Sequence, residues 1–302
     1  ITILLMCMLL LVSVCAGILF GSVNIAFKDI LNCLTGADRS STSYILITTV
    51  RIPRLLGGLF AGIGLSCSGV ILQGVMNNSL ASPSTIGVNS GSGFAVMLAM
   101  IFFLAALSDS SRTTIILAGI TVSSFLSAGI NTIKLLNTDI TVNLTSFLIG
   151  SLSGLTLSRL ILPCLCIAIA FFVSLFLAQP LNMLGLGDDI ARSLGLRVSL
   201  TRFLLLSLAS ILAGCVVSFA GLLGFIGLII PHICRRLFGN DARFLLPCSA
   251  LLGGSFVLLC DLLGRILFSP FELPAGIIMS FVGGPFFLYL LLKKKGGRRV
   301  HA

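Results

Sequence analysis

Apolar residues in this chain come in blocks of about 20, separated by short polar stretches. The block at 1–20, ITILLMCMLLLVSVCAGILF, is long enough to cross a bilayer. No basic segment precedes it, so it reads as a retained first helix rather than a cleaved signal peptide. Residues 21–50 are mixed and polar and read as a loop holding a short amphipathic segment. A second span follows to about Val75, with Pro53 in its first turn, where a missing N–H is harmless. Gly58 and Gly62 form a GxxxG pair on it, the spacing that lets two membrane helices approach closely. Further spans are predicted near 84–107, 113–135, 141–155, 160–179 and 203–220. A short glycine-rich helix at 221–236, broken at Pro231, comes next. The last two spans are at 244–267 and from Glu272 to the basic tail at 293–299. The prediction is an all-α integral membrane protein of about ten transmembrane helices in one polytopic domain, 1–302. Short re-entrant or broken helices are expected where the polar breaks fall.

Two of those breaks stand out. Residues 181–202, LNMLGLGDDIARSLGLRVSLTR, hold five charged residues, whereas only 9% of the whole chain is charged. Asp188 and Asp189 suit a helix N-terminus, where carboxylates meet free N–H groups and the positive end of the dipole. Arg192 follows Asp188 at i+4, and Gly195 is a natural stop after Leu194. Ile190, Ala191 and Leu194 give this short helix a small apolar face, and a solvated loop with ordinary positive-inside arginines competes with a partner-binding helix. The second break, residues 76–93, is rich in Asn, Ser and Gly and carries no charge. Non-helical backbone at membrane depth needs protein or a watery path to satisfy it. Asn78, Ser79, Leu80, Pro83, Gly87 and Asn89 are therefore candidates for a gate or pathway.

Composition supports the membrane reading. The chain has 302 residues, 57% of them hydrophobic, with a mean hydropathy of +1.17. Its net charge of +10 would point to nucleic acid in a soluble protein; here it marks loops retained in the cytoplasm. With both termini inside, twelve of the 19 Lys and Arg fall on the cytoplasmic side. The outer side still keeps Arg51, Arg54 and Arg265, which need another explanation. Nine of the ten cysteines lie in or beside apolar runs and act as small hydrophobes; Cys33 is in a polar loop. No GxxxxGK[ST] loop is present, so the chain has no P-loop for ATP. His232 beside Pro231 reads as a residue at a helix end. Asp139, Asp261, Arg265 and Glu272 all fall near span ends, which argues against proton-coupled transport. A weak internal echo links 61–73 with 210–222 in their small-residue pattern.

Several motifs occur together in order: RIPR (51–54), NSLASP followed by IG (78–87), GDDIARSLG (187–195), GFIGLIIPHICR (224–235), DARFLLP (241–247), DLLGR (261–265), and ELPAGI followed by GGPFF (272–287). In them the chain resembles the permease subunits of ABC importers for iron-siderophores, haem and cobalamin. The resemblance implies ten helices per protomer and a dimer, of this chain or with a paralogue, around a central pathway in the lipid bilayer. It further implies two cytoplasmic ATPases that hold ATP and Mg, an extracytoplasmic substrate-binding protein, and no cofactor or nucleic acid in this chain. The 181–202 loop matches that family's cytoplasmic coupling helices, which assigns ATPase coupling to Gly187, Asp188, Asp189, Ala191, Arg192, Leu194 and Gly195. Arg51, Arg54 and Arg265 match arginines that meet acidic residues of the binding protein, which makes an exposed, charged docking rim the expectation. Where the family has Asn-Pro-Leu-Ala, this chain has Asn78-Ser79-Leu80-Ala81. The expected function is uptake of a ferric-siderophore or related iron compound across a bacterial cytoplasmic membrane. Cobalamin or haem is the near alternative, and an ion-coupled secondary transporter the alternative of another class.

Overall fold

The computed structural model describes residues 2–21, 41–79, 81–83 and 146–296. The spans expected at 84–107 and 113–135, the amphipathic segment of the 21–50 loop, the first five residues of the span at 141–155, and the candidates Leu80, Gly87 and Asn89 lie outside them. The described helices are α1 (Thr2–Leu19), α2 (Thr42–Ile45), a π-helical turn (Leu46–Arg51), α3 (Ile52–Val75), α4 (Leu157–Phe176), α5 (Ala178–Leu184), α6 (Asp188–Ser193), α7 (Val198–Ala220), α8 (Ile226–Phe238), α9 (Ala242–Ile266) and α10 (Ala275–Gly296). Among the described residues, five helical stretches are long and apolar enough to cross a membrane: α1, the run Thr42–Val75, α4, α7 and α9.

Helix α3 is the hub, with α9, α7 and α8 packed against it. Lipid tails are as apolar as leucine, so membrane helices associate by close backbone approach at small residues. The GxxxG pair does this: a Cβ at Gly62 would overlap the backbone of Gly253 on α9, and one at Gly58 would lie 2.9 Å from Leu258 Cδ2. Seven residues on, a Cβ at Gly69 would overlap Gly227 of α8. The echoing stretches of α3 and α7 lie against each other, with Ser68 Oγ donating to Ala209 O at 2.7 Å. By these contacts α3 runs antiparallel to α7 and α9, so the N-terminus of α3 meets the C-terminus of α9. Lipid-type side chains such as Leu162, Phe172 and Phe176 cover the outward face of α4.

Three expectations are corrected. The loop expected to reach residue 50 turns helical at Thr42, where Ser41 Oγ accepts from Tyr44 N at 3.2 Å as an N-cap. Ile52 N then bonds to Ile47 O, an i→i+5 step, and this wide turn leads into α3, which starts at Ile52 with Pro53 in its first turn. The span expected to run to residue 155 stops being helical after 149, because Gly150 takes φ +81° and 150–156 are irregular. Finally, Pro231 does not break its helix: α8 continues through it to Phe238. His232 is thus mid-helix rather than at an end, and its ring stands edge-on to Phe286 at 5.9 Å.

Candidate functional site

The residues singled out by sequence collect at the two opposite ends of the α3/α9 pair. At one end α3 stops at Val75 in a Schellman turn: Asn78 N bonds to Gln73 O at 3.1 Å and Asn77 N to Gly74 O at 3.3 Å. Asn77 takes φ +46°, the left-handed conformation that Asn tolerates. Asn78 and Ser79 are exposed, and Ala81 N closes the next turn on Asn78 O at 3.1 Å. Pro83 is buried against Gly227. Asn78 and Ser79 therefore sit at a helix end, Ser79 in an exposed turn, whereas Pro83 packs further in, beside Gly227 at the level of Leu65 and Gly69 of α3.

Helix α6 lies at this same end, and its short sequence accounts for its shape. Gly187 precedes it at φ +106°, which only glycine adopts without strain. Asp188 and Asp189 occupy the first turn, and Asp189 is 3.1 Å from Arg192. Asp188 is 4.0 Å from Arg192 and 2.7 Å from Arg202, a second partner that local spacing did not reveal. At the C-terminus Gly195 takes φ +83°, with Gly195 N on Arg192 O at 2.9 Å and Leu196 N on Ala191 O at 3.0 Å. That is a full Schellman motif. Both ends are thus fixed without a partner chain. The apolar face is made differently from the expectation: Ala191 is fully buried against its own chain, while Leu186, Ile190 and Leu194 are more than half exposed. The one-residue step from 190 to 191 turns the side chain about 100° around the helix, which takes it from the outside to the inside.

Asn182 on α5 anchors this assembly. Its Nδ2 donates to Asp241 Oδ1 at 2.8 Å, and its Oδ1 accepts from Ala242 N at 2.8 Å. Asp241 also caps α9 by accepting from Arg243 N at 3.0 Å. Hydrogen bonds from the Arg243 side chain and backbone, then from Asn182, hold the Asp241 carboxyl well below the usual carboxylate range. Between α3, α5 and the α8–α9 connection lies a cavity of about 650 Å³, lined by Gln73, Asn78, Ser79, Asn182, Arg235 and Asp241 among others.

At the opposite end the expected rim of exposed arginines is corrected. Arg51, Arg54 and Arg265 are only 5%, 7% and 5% exposed. Arg54 bonds through Nε to both oxygens of Asp261 at 3.0 Å and through Nη1 to Glu272 at 2.6 Å. Arg265 Nε lies 3.2 Å from Asp261 Oδ2, as an ion pair without hydrogen-bond alignment. Arg51 donates to Ile18 O and, at 3.2 Å, to Leu19 O; Arg265 reaches Gly17 O and Phe20 O at 3.5 and 3.4 Å. A helix leaves its last carbonyls unpaired and carries a negative dipole end there. The two arginines cap the C-terminus of α1, and this draws them inward. Among the described residues no group of three His, Cys, Asp or Glu is placed to hold a metal ion.

A family model described as the FecCD transport family matches residues 9–112 and 100–293. The Bacillus subtilis iron-uptake system permease protein FeuB is 34% identical over 95% of this chain and 93% of its own length. The hemin transport system permease protein HmuU of Yersinia pestis is 31% identical over 93% of this chain and 92% of its own. A solved inward-facing conformation of a metal-chelate type ABC transporter superposes with a TM-score of 0.76, at 29% identity, over 95% of this chain and 97% of that one. Matched along nearly its whole length, this multi-pass membrane chain belongs to the FecCD transport family and is a transport permease, not an enzyme.

Proposed function

We propose that this chain is the membrane-spanning subunit of an ABC importer that carries a ferric-siderophore or a related iron compound across a bacterial cytoplasmic membrane. The similarity to FeuB, an iron-uptake system permease protein, supports iron as the cargo. The observation that carries the mechanism is α6, a short helix capped at both ends by its own glycines that holds Leu186, Ile190 and Leu194 toward solvent. In this reading separate ATPases bind that face, with ATP and Mg held on them and no cofactor on this chain. Asp188, Asp189, Arg192 and Arg202 frame the face with charge, and Gly187 and Gly195 set its angle. A second permease copy completes the pathway, with Asn78 and Ser79 at its cytoplasmic end and Pro83 further in. A binding protein docks at the other end, guided by Arg51, Arg54 and Arg265. Three guanidiniums against two carboxylates leave this cluster of described residues one charge positive, so in this reading it steers an acidic partner by field rather than by exposed side chains.

Haem is the second reading, favoured by the similarity to HmuU. Ion-coupled transport is disfavoured, because Asp261 is committed to two arginines. The test is uptake into proteoliposomes holding the permease with its ATPase, binding protein added outside. ATP-dependent accumulation of ferric siderophore, and not of haemin, is expected. Accumulation driven by an ion gradient without ATPase would overturn the class, and haemin uptake alone would overturn the substrate.

A further inference from the structure

Pro231 sits inside α8 and has no N–H to give to the carbonyl four residues back, Gly227 O. That oxygen instead accepts from Gln73 Nε2 on α3 at 2.9 Å. Gln73 is 3% exposed, and its other amide atom, Oε1, accepts from Arg235 on the next turn of α8. The amide orientation is set by its partners, since a carbonyl only accepts and a guanidinium only donates. One side chain of α3 therefore grips α8 on both sides of the proline. It can reach because the helices touch there: a Cβ at Gly69 would overlap Gly227.

Beyond Pro231, α8 leads through Gly239 (φ +80°) and Asn240 to Asp241. Asp241 and Ala242 are tied by Asn182 to α5, next to α6. The cavity of about 650 Å³ lies against Gln73, Arg235, Asn182 and Asp241, so the C-terminal half of α8 borders open space. A helix that bonds its own carbonyls resists bending, whereas one that borrows a donor from a neighbour bends where that donor lets go.

We propose that Gln73 is a positioning residue for transport, a releasable clasp that holds α8 straight across Pro231 and lets it bend there when α5 and α6 move. The proposal rests on the coupling role given to α6 above. Its structural claim, a hinge at Pro231 latched by Gln73, is measurable without transport.

Three variants separate a hinge from a mere packing contact: Gln73→Leu, Pro231→Ala and the two together. Gln73→Leu removes the donor to Gly227 O and the acceptor for Arg235, and a lower melting temperature is expected. Pro231→Ala restores an N–H to α8, so the double variant should recover much of that loss. Its helix is then straight and permanently bonded. In the reconstituted importer, with ATPase still bound, uptake by Pro231→Ala and by the double variant should fall about tenfold or more. If the double variant regains uptake along with stability, Gln73 is structural only and the proposal fails. Uptake by Pro231→Ala equal to the parent's overturns it as well. Spin labels at Met76→Cys and Leu237→Cys, both exposed, report the hinge directly in a background with the other cysteines replaced. A second, shifted distance population is expected in Gln73→Leu, and a single one in Pro231→Ala and the double variant. One unchanged population in all variants refutes the hinge whatever the uptake. A hinge seen in a parent that takes up nothing with ATP would instead refute the importer reading.

Discussion

Asp261 lies 3% exposed between Arg54 and Arg265, with Glu272 closing the far side of Arg54. A buried pair is weak evidence for net stability, but removing one partner leaves a buried charge uncompensated. We therefore expect Asp261→Ala to destabilise the protein by about 3–5 kcal/mol, read as a fall in melting temperature in detergent. Glu272→Gln, at the half-exposed edge, should cost far less. Equal effects would mean that the network is not centred on Asp261. Asp241 gives a prediction in pH. Its carboxyl is held below the ordinary value, so its contribution is full above the unfolded pKa of about 3.9 and is lost as pH falls through the folded value. Asp241→Asn should lower the melting temperature by a constant amount between about pH 5 and pH 8, and that gap should close in strong acid. A gap that varies across neutral pH would implicate another group.

At the level of elements, α6 shows what short sequence patterns reveal. Its first-turn aspartates, its Asp188–Arg192 pairing and the Gly195 stop are local features, and the structure has all three. The side that faces a partner was less legible. Six residues make less than two turns, so the chain's own packing, not periodicity, decides that Ala191 goes in and Ile190 and Leu194 go out. This changes the expected mutant behaviour. Ala191→Arg should disrupt the 178–196 fold itself, seen as protease sensitivity of this segment. Ile190→Arg and Leu194→Arg should leave the permease folded and weaken ATPase binding by about tenfold or more. Gly195→Pro should also misfold the loop, because proline fixes φ near −65° and lacks the N–H that bonds Arg192 O. Normal ATPase binding by both exposed variants would move the coupling surface elsewhere. Gln73 and Asn182 escaped the sequence reading for a related reason. Their partners lie 154 and 59 residues away, and a single amide in an apolar run carries no local signature. Pro231 was legible as an irregularity, but a donor supplied by another helix is what keeps α8 whole.

For the whole molecule, burial resolves the arginines that strain the positive-inside pattern. Arg51, Arg54 and Arg265 lie at one end of the α3/α9 pair, while Arg192, Arg197, Arg202, Arg235, Arg236 and Arg243 belong to the segments at the other. The first set is largely neutralised by Asp261 and Glu272 or spent on the carbonyls of α1. The second set is mostly at the surface, whereas outside the cluster the described exposed arginine near the first end is Arg159, so among the described residues free positive charge is more one-sided than a count of Lys and Arg makes it. The end bearing α6 should therefore face the cytoplasm. Ile190 at that end and Phe271 near Glu272 at the other are both exposed, at 51% and 78%. In a cysteine-free background, Ile190→Cys should react with an impermeant maleimide only in inside-out vesicles, and Phe271→Cys only in right-side-out ones. Labelling of position 190 from outside would invert the topology and remove α6 from the reach of any cytoplasmic ATPase. Labelling of position 271 from neither side, with 190 behaving as expected, would keep the topology and mean that a second copy or the lipid covers the outer end where the binding protein is to dock.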